Sequence, residues 1–324
     1  MVPKAELHVH LEGTATPELV RLLAARHGMN LPPELFTTAG HFAWTDFLHF
    51  LKVYDAAASV IRTAGDYRDV TYDYLRRCAD EGAVYVEVMS SPDHAALAGL
   101  SFDGHLEGII QGIEAARADF GIEGRVIVTC VRHFGVERGL AVARSCVRCH
   151  HPLLTGFGMG GDENCLPASA FREVFAIARH EAGLACTVHA GEAAGPDSVR
   201  DALDNLPVHR IGHGVRAIED ADLVRRLAAD GIVLELCPTS NVRTAVYPDY
   251  ADHPLNRLRA AGCRITLNSD DPPYFDTTLG GEYEVAARHF GLSEQDLRGV
   301  TRTALEAAFM DETTRRALLR RIDA

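Results

Sequence analysis

The chain has 324 residues, 47% of them hydrophobic and 24% charged, the balance of a globular protein with enough length for a large core. Asp and Glu total 45 against 32 Lys and Arg, so the net charge of −13 repels a nucleic-acid backbone or an anionic membrane, and neither is an expected partner. No apolar run reaches the roughly 18 residues of a membrane span, and the amino-terminal residues show no apolar signal segment, which makes a cytoplasmic location the expectation.

In chain order, short β-branched runs predict strands at 5–10, 83–89, 125–130, 153–159, 184–189, 209–211, 232–236 and 264–267. Between them, apolar residues spaced by three and four predict helices at 16–26, 64–81, 104–120, 167–182, 217–229 and 254–261. Strict alternation of this kind denotes parallel βαβ units, and eight of them close into a barrel. The predicted fold is therefore α/β, a single TIM-like (β/α)8 barrel over residues 1–324, with no linker or repeat dividing it. Two stretches exceed the minimal barrel. Segment 29–63 follows the first strand, and its Phe47, Leu51 and Tyr54 at helical spacing beside Trp44 and Phe50 suggest a helical lid or simple packing on the barrel. From Glu294 onward a helical tail, with arginines clustered in 315–321, reads as a solvated closing element. The eight cysteines are scattered through apolar segments, which argues against a disulfide framework. Cys146-Val147-Arg148-Cys149-His150 matches a haem attachment pattern by letter, but without an export signal it reads as a helix end.

Functional side chains of such barrels gather at the carboxyl ends of the strands. Strand one ends Glu6-Leu7-His8-Val9-His10, and alternation along a strand puts His8 and His10 on one face, where two imidazoles can share a metal. Strand five ends at His189, with Glu192 just beyond it, and strand six ends Gly212-His213-Gly214, where glycines let backbone approach a ligand closely. Strand eight ends Asn268-Ser269-Asp270-Asp271-Pro272, adjacent carboxylates that repel unless a cation is near. Each fragment alone could be a core histidine or a helix cap. Together, three histidines and an aspartate arriving at one barrel end make an N3O donor set suited to zinc. The segment 153–161 offers no lysine or glutamate to bridge a second ion, so one zinc per chain is expected.

These runs, with Leu236-Cys237-Pro238-Thr239-Ser240-Asn241, appear in an order that resembles the adenosine deaminase family of the amidohydrolase superfamily over nearly the whole chain. The resemblance implies zinc held by His8, His10, His189 and Asp270, with His213 orienting the water that attacks C6 of a purine. It also implies that Glu192 protonates N1 as a buried acid with a raised pKa, that Asp271 bonds N7, and that the Gly161 amide, in Gly160-Gly161-Asp162-Glu163, donates to N3. Substrate-binding positions on this reading are His10, Glu12, Gly161 and Asp271, and the partner is a small purine nucleoside or base, with no protein partner expected. At position 12 the family's adenosine deaminases usually carry Asp where the ribose 5′-hydroxyl lies, whereas adenine deaminases often carry Glu, as here. The Ala193-Ala194-Gly195-Pro196 loop, Gly212 and the Cys237–Asn241 run look more like adenosine deaminase, so the expected reaction is adenosine, and with it 2′-deoxyadenosine, to inosine and ammonia. Adenine, or a modified nucleoside such as 6-aminodeoxyfutalosine, is the alternative within the class. A metallohydrolase of another kind on the same barrel, or a catalytically silent relative, is the alternative outside it. A cytidine-deaminase reading of His10-Leu11-Glu12 with Cys146 and Cys149 is rejected, because it leaves His189, His213 and Asp270 without a role.

Overall fold

The computed structural model describes residues 2–323. Eight strands run parallel in sequence order: β1 (Lys4–His10), β2 (Ala83–Ser90), β3 (Glu123–Val131), β4 (Leu154–Gly160), β5 (Ala185–Ala190), β6 (Arg210–His213), β7 (Val233–Leu236) and β8 (Arg264–Leu267). Covered by helices outside and by side chains within, β2 is buried at every position, which is why it reads as a continuous apolar run rather than an alternating one. The seam between β8 and β1 is made by residues just past the end of β8. Val9 bridges Asp270 in parallel register, the His10 N–H donates to the Asp270 carbonyl at 2.9 Å, and the Asp270 N–H donates to the His8 carbonyl at 3.2 Å. Barrel closure and the candidate site therefore share the same backbone.

Three elements depart from the periodicity in instructive ways. Strand six extends to His213, because Gly212 pairs with His189 on β5 at a point where a side chain has no room. The helix predicted at 217–229 begins at Ala221 instead, since Asp220 in extended conformation caps it by accepting from the Asp222 and Leu223 N–H groups. The helix predicted at 167–182 is broken into a 3₁₀ turn at Ala168–Phe171, an α turn at Arg172–Ala176 and a π turn that closes with the Ala182 N–H on the Ile177 carbonyl.

Within segment 29–63, Asp46 caps a helix over Phe47–Ala58. Phe50 on that helix packs against Tyr274 and Phe275 after β8, with ring centroids 5.5 and 5.3 Å away, and the Trp44 indole donates to the Tyr274 carbonyl at 3.1 Å. At the opposite end of the barrel, Ala5, Leu7 and Tyr85 form a buried cluster with Leu305, Leu318 and Ile322 of the carboxyl-terminal helices Glu294–Ala307 and Glu312–Asp323. Arg315, one of the clustered arginines, donates to the Leu305, Glu306, Ala308 and Met310 carbonyls and so terminates the preceding helix. All eight cysteines are free, and Cys149 follows the last residue of helix Val136–Arg148. Among the described residues no helix is long and apolar enough to cross a membrane.

Candidate active site

His8 and His10 leave the end of β1, His189 the end of β5, and Asp270 the turn after β8; one donor atom from each lies within 4.8 Å of the others. The His10 and His189 Nε2 atoms face each other at 3.0 Å, and Asp270 Oδ1 stands 3.4 Å from His8 Nε2 and 3.3 Å from His10 Nε2. Partners behind the rings decide which nitrogen faces inward. His8 Nδ1 bonds Glu235 Oε2 at 2.9 Å and His189 Nδ1 bonds the Met159 carbonyl at 2.9 Å, so both rings present Nε2 to the cluster. Behind the aspartate, the Ser240 hydroxyl donates to Asp270 Oδ2 at 2.6 Å.

These residues fit a divalent cation. His8 Nε2 is buried without a hydrogen-bond partner, and three imidazoles with one carboxylate are the donor chemistry of a catalytic zinc centre. Burial opposes a charge on His8, yet the neighbouring Asp270 and Glu235 carboxylates raise its pKa to about 10, so this position favours positive charge. His189 is driven the other way, well below the ordinary histidine value, by burial and then by the neighbouring His8 and His10, and is neutral as a ligand must be. Burial also works against ionisation of Asp270, but hydrogen bonds from His10 and His8 hold its carboxyl well below the usual range.

Strain is stored at the same place. His213 and Asp270 both adopt the left-handed backbone region, with φ of 58° and 63°. His213 Nε2 points at Glu192 Oε2, 3.6 Å away, and at Asp270 Oδ2, 3.9 Å away. The Glu192 carboxyl is buried, and burial, followed by the charges of Asp270 and Glu163, pushes its pKa well above the ordinary carboxylate range. Asp271 is raised for the same first reason and then by Asp270, and its Oδ1 is a second buried atom without a partner. Glu12, Gly161, Glu192, His213 and Asp271 all line one cavity beneath the Phe47–Ala58 helix. Gly161 has φ of 95°, and a Cβ there would lie 2.7 Å from His133 Nδ1, so only glycine lets its backbone border the cavity in this way.

The structure thus brings together all nine residues proposed for the site: His8, His10, Glu12, Gly161, His189, Glu192, His213, Asp270 and Asp271. It adds several that were quoted without a role or passed over. The Glu163 carboxyl accepts from the Gly191, Glu192 and Ala194 N–H groups, at 2.5, 3.1 and 2.8 Å, and so fixes the loop that carries Glu192. Fully buried Arg132 grips the His189 carbonyl at 2.6 Å. Glu235 carried a readable signal, a lone acid inside the apolar run Val233-Leu234-Glu235-Leu236. Asn241, whose amide lies 3.2 Å from His213 Nδ1, gave none beyond its place in the Cys237–Asn241 run.

A parallel eight-stranded barrel with a histidine and aspartate cation cluster at the strand ends defines the class: a metal-dependent hydrolase of the amidohydrolase superfamily. The chain belongs within it to the adenosine deaminase family, whose model matches residues 3–324. It is a deaminase, a hydrolase of carbon–nitrogen bonds in cyclic amidines, and its family works with a divalent metal. An adenine deaminase from Chelativorans sp. (strain BNC1) is 52% identical over 322 residues, 99% of this chain and 98% of that protein. The crystal structure of an adenine deaminase from Arthrobacter aurescens aligns with a TM-score of 0.92 at 32% identity, covering 100% of this chain and 98% of the other. An amidohydrolase from Burkholderia ambifaria, solved with bound Zn, gives a TM-score of 0.90 at 27% identity over 99% and 90% of the two chains. These relatives do not support the expected adenosine and fit the alternative, adenine, better: two of them are named for adenine. Ser240 and Asn241 of the Cys237–Asn241 run, one of the grounds for adenosine, contact Asp270 and His213 at the reacting end of the site.

Proposed function

We propose that this protein hydrolyses free adenine to hypoxanthine and ammonia, using one zinc ion per chain. The observation that carries the choice of adenine is the 52% identity, over 99% of this chain, to an adenine deaminase. The surroundings of Glu12 support it. This carboxyl is buried, and its Oε1 already accepts from the Ser90 hydroxyl at 2.6 Å, the Ser91 N–H at 3.2 Å and the Tyr67 hydroxyl at 3.4 Å. Oε2 takes only the Tyr54 hydroxyl, at 3.3 Å, and keeps a lone pair for a donor inside the cavity. The N9–H of a free base is such a donor; the substituted N9 of a nucleoside is not.

His8, His10, His189 and Asp270 would hold the ion, which when bound supplies Lewis-acid activation of water at neutral pH. Glu192 keeps its proton at working pH because it is buried beside other acids, and it gives that proton to N1 while the water oxygen adds to C6. The proton the water loses in that addition passes to the Glu192 carboxylate, which delivers it to the exocyclic nitrogen; the C6–N bond breaks, ammonia leaves, and the C6 hydroxyl proton returns to Glu192, leaving the 6-oxo group and the acid as it began. His213 stands beside Glu192 and Asp270, where it contacts the oxygen that becomes that group. Asp271, also protonated, donates to N7, and the Gly161 N–H donates to N3.

Ammonia release should be measured with adenine, adenosine, 2′-deoxyadenosine and a simple ester. The expected kcat/KM for adenine exceeds that for either nucleoside by at least about a hundredfold, the scale on which a site built to bond an N–H rejects an analogue lacking it. Comparable turnover of adenosine would overturn the substrate, and ester cleavage without ammonia would overturn the reaction.

A further inference from the structure

The side of His213 that faces away from the cation cluster leads into a chain of hydrogen bonds that ends on the protein backbone. Asn241 Nδ2 lies 3.2 Å from His213 Nδ1, Asn241 Oδ1 lies 3.2 Å from His253 Nε2, and His253 Nδ1 accepts from the Leu255 N–H at 3.3 Å. His213, Asn241 and His253 are all buried, so no bulk water relieves a mismatch along the chain.

The direction of the chain is set at its far end. A backbone N–H can only donate, so His253 Nδ1 must carry the lone pair and His253 Nε2 the proton. That proton needs an acceptor, which turns Asn241 with Oδ1 toward His253 and its amide N–H toward His213. His213 Nδ1 must then be the acceptor, leaving the ring proton on Nε2. The opposite amide orientation would end with two donors, the His253 Nδ1–H and the Leu255 N–H, facing each other. On the site side the assignment turns the Nε2–H toward Glu192 Oε2, 3.6 Å away, and Asp270 Oδ2, 3.9 Å away.

We infer that Asn241 and His253 are positioning residues that lock His213 in the tautomer with its proton on Nε2, so that a donor rather than a lone pair faces the reacting oxygen. His213 then acts by hydrogen bonding to that oxygen and does not abstract its proton. The tautomer follows from the hydrogen-bond chain alone; its consequence for turnover rests on the deaminase mechanism above.

The test is the ring spectrum of His213 in metal-loaded enzyme labelled with ¹⁵N-histidine, with the His213 signals assigned by their loss in His213→Gln. A protonated Nε2 and an unprotonated Nδ1 are expected; the reverse overturns the inference whichever substrate the enzyme uses. Asn241→Asp places an acceptor against Nδ1 and should move the proton there, lowering kcat by about tenfold or more with KM changed by less than about twofold. A moved proton with unchanged kcat would refute the positioning role. His253→Leu frees the Asn241 amide to rotate and should give a mixture of His213 tautomers; a single unchanged tautomer would refute the relay, and this variant together with the wild-type spectrum decides the matter even if Asn241→Asp does not fold.

Discussion

At the scale of single residues, Glu192 is held where the neutral acid is favoured. It is buried beside Asp270 and Glu163, and the first effect, burial, already favours the protonated acid. Glu192→Gln keeps size and one hydrogen bond but has no proton to give, so kcat for ammonia release should fall by at least about a hundredfold, with metal content unchanged. Near-normal turnover in that variant would remove Glu192 from the mechanism. His189→Ala should instead lose the metal itself, read by elemental analysis, because it deletes one of four donors and leaves His10 Nε2 without the nitrogen it faces. All of these donors were legible in the sequence, because each lies at or just past the carboxyl end of a strand, where functional side chains of such barrels gather. Glu163, Arg132, Asn241 and His253 were not, because they act on the backbone or on another side chain and leave no spacing pattern; only the folded chain shows that Glu163 accepts three N–H groups from the loop of Glu192.

At the scale of elements, the site depends on strands coming closer than side chains normally allow. Gly212 on β6 lies in register with His189 on β5, and a Cβ built on it would sit 2.7 Å from His8 Cε1 and 3.3 Å from His189 Nδ1. The His8 ring cannot retreat, because Glu235 holds it from behind at 2.9 Å. Gly212 is not among the residues with positive φ, so alanine is compatible with its backbone and the substitution isolates the steric contact. Gly212→Ala should therefore keep the fold, by circular dichroism, while weakening metal affinity about tenfold or more by displacing His8. Unchanged metal affinity would show that β6 yields instead. This contact also explains why sequence periodicity ended strand six early: Gly212-His213-Gly214 has the composition of a turn, and tertiary closeness rather than propensity makes part of it a strand. Short β-branched runs were enough to find all eight strands, since strands buried on both faces read as near-continuous apolar segments. Helix starts were less legible where one capping residue decides them, as Asp220 does for the helix at Ala221–Asp230.

At the scale of the whole molecule, the interior below the site is held by charge as well as by apolar layers. Arg210 on β6 is fully buried, donating to Glu235 on β7 at 2.5 Å and to Glu87 on β2 at 2.6 Å, while Glu235 also bonds His8 on β1. One guanidinium thus ties together strands that are not neighbours in the sheet and reaches a candidate metal donor through a single carboxylate. Its face lies 3.6 Å from the centre of the Phe309 ring, and it also donates to the Ala307 carbonyl, so the carboxyl-terminal tail is anchored to the same group. Arg210→Met fills most of the volume but leaves two buried acids without their cation, a change that costs about 3–5 kcal/mol where it has been isolated. Urea unfolding should show a loss of that order, and Arg210→Met combined with Glu87→Gln should recover part of it; a loss below about 1 kcal/mol would mean the acids simply protonate. The pH dependence has a definite sign. Burial alone would raise the Glu235 carboxyl, but Arg210 and then His8 hold it below its ordinary value of 4.5 in the folded chain. Its contribution to stability is therefore present above that value and lost as pH falls through the depressed one. The stability gap between the wild type and Glu235→Gln should accordingly be full at neutral pH and shrink on acidification below about 4.5, and a gap that widened there would show that Glu235 is buried as the neutral acid.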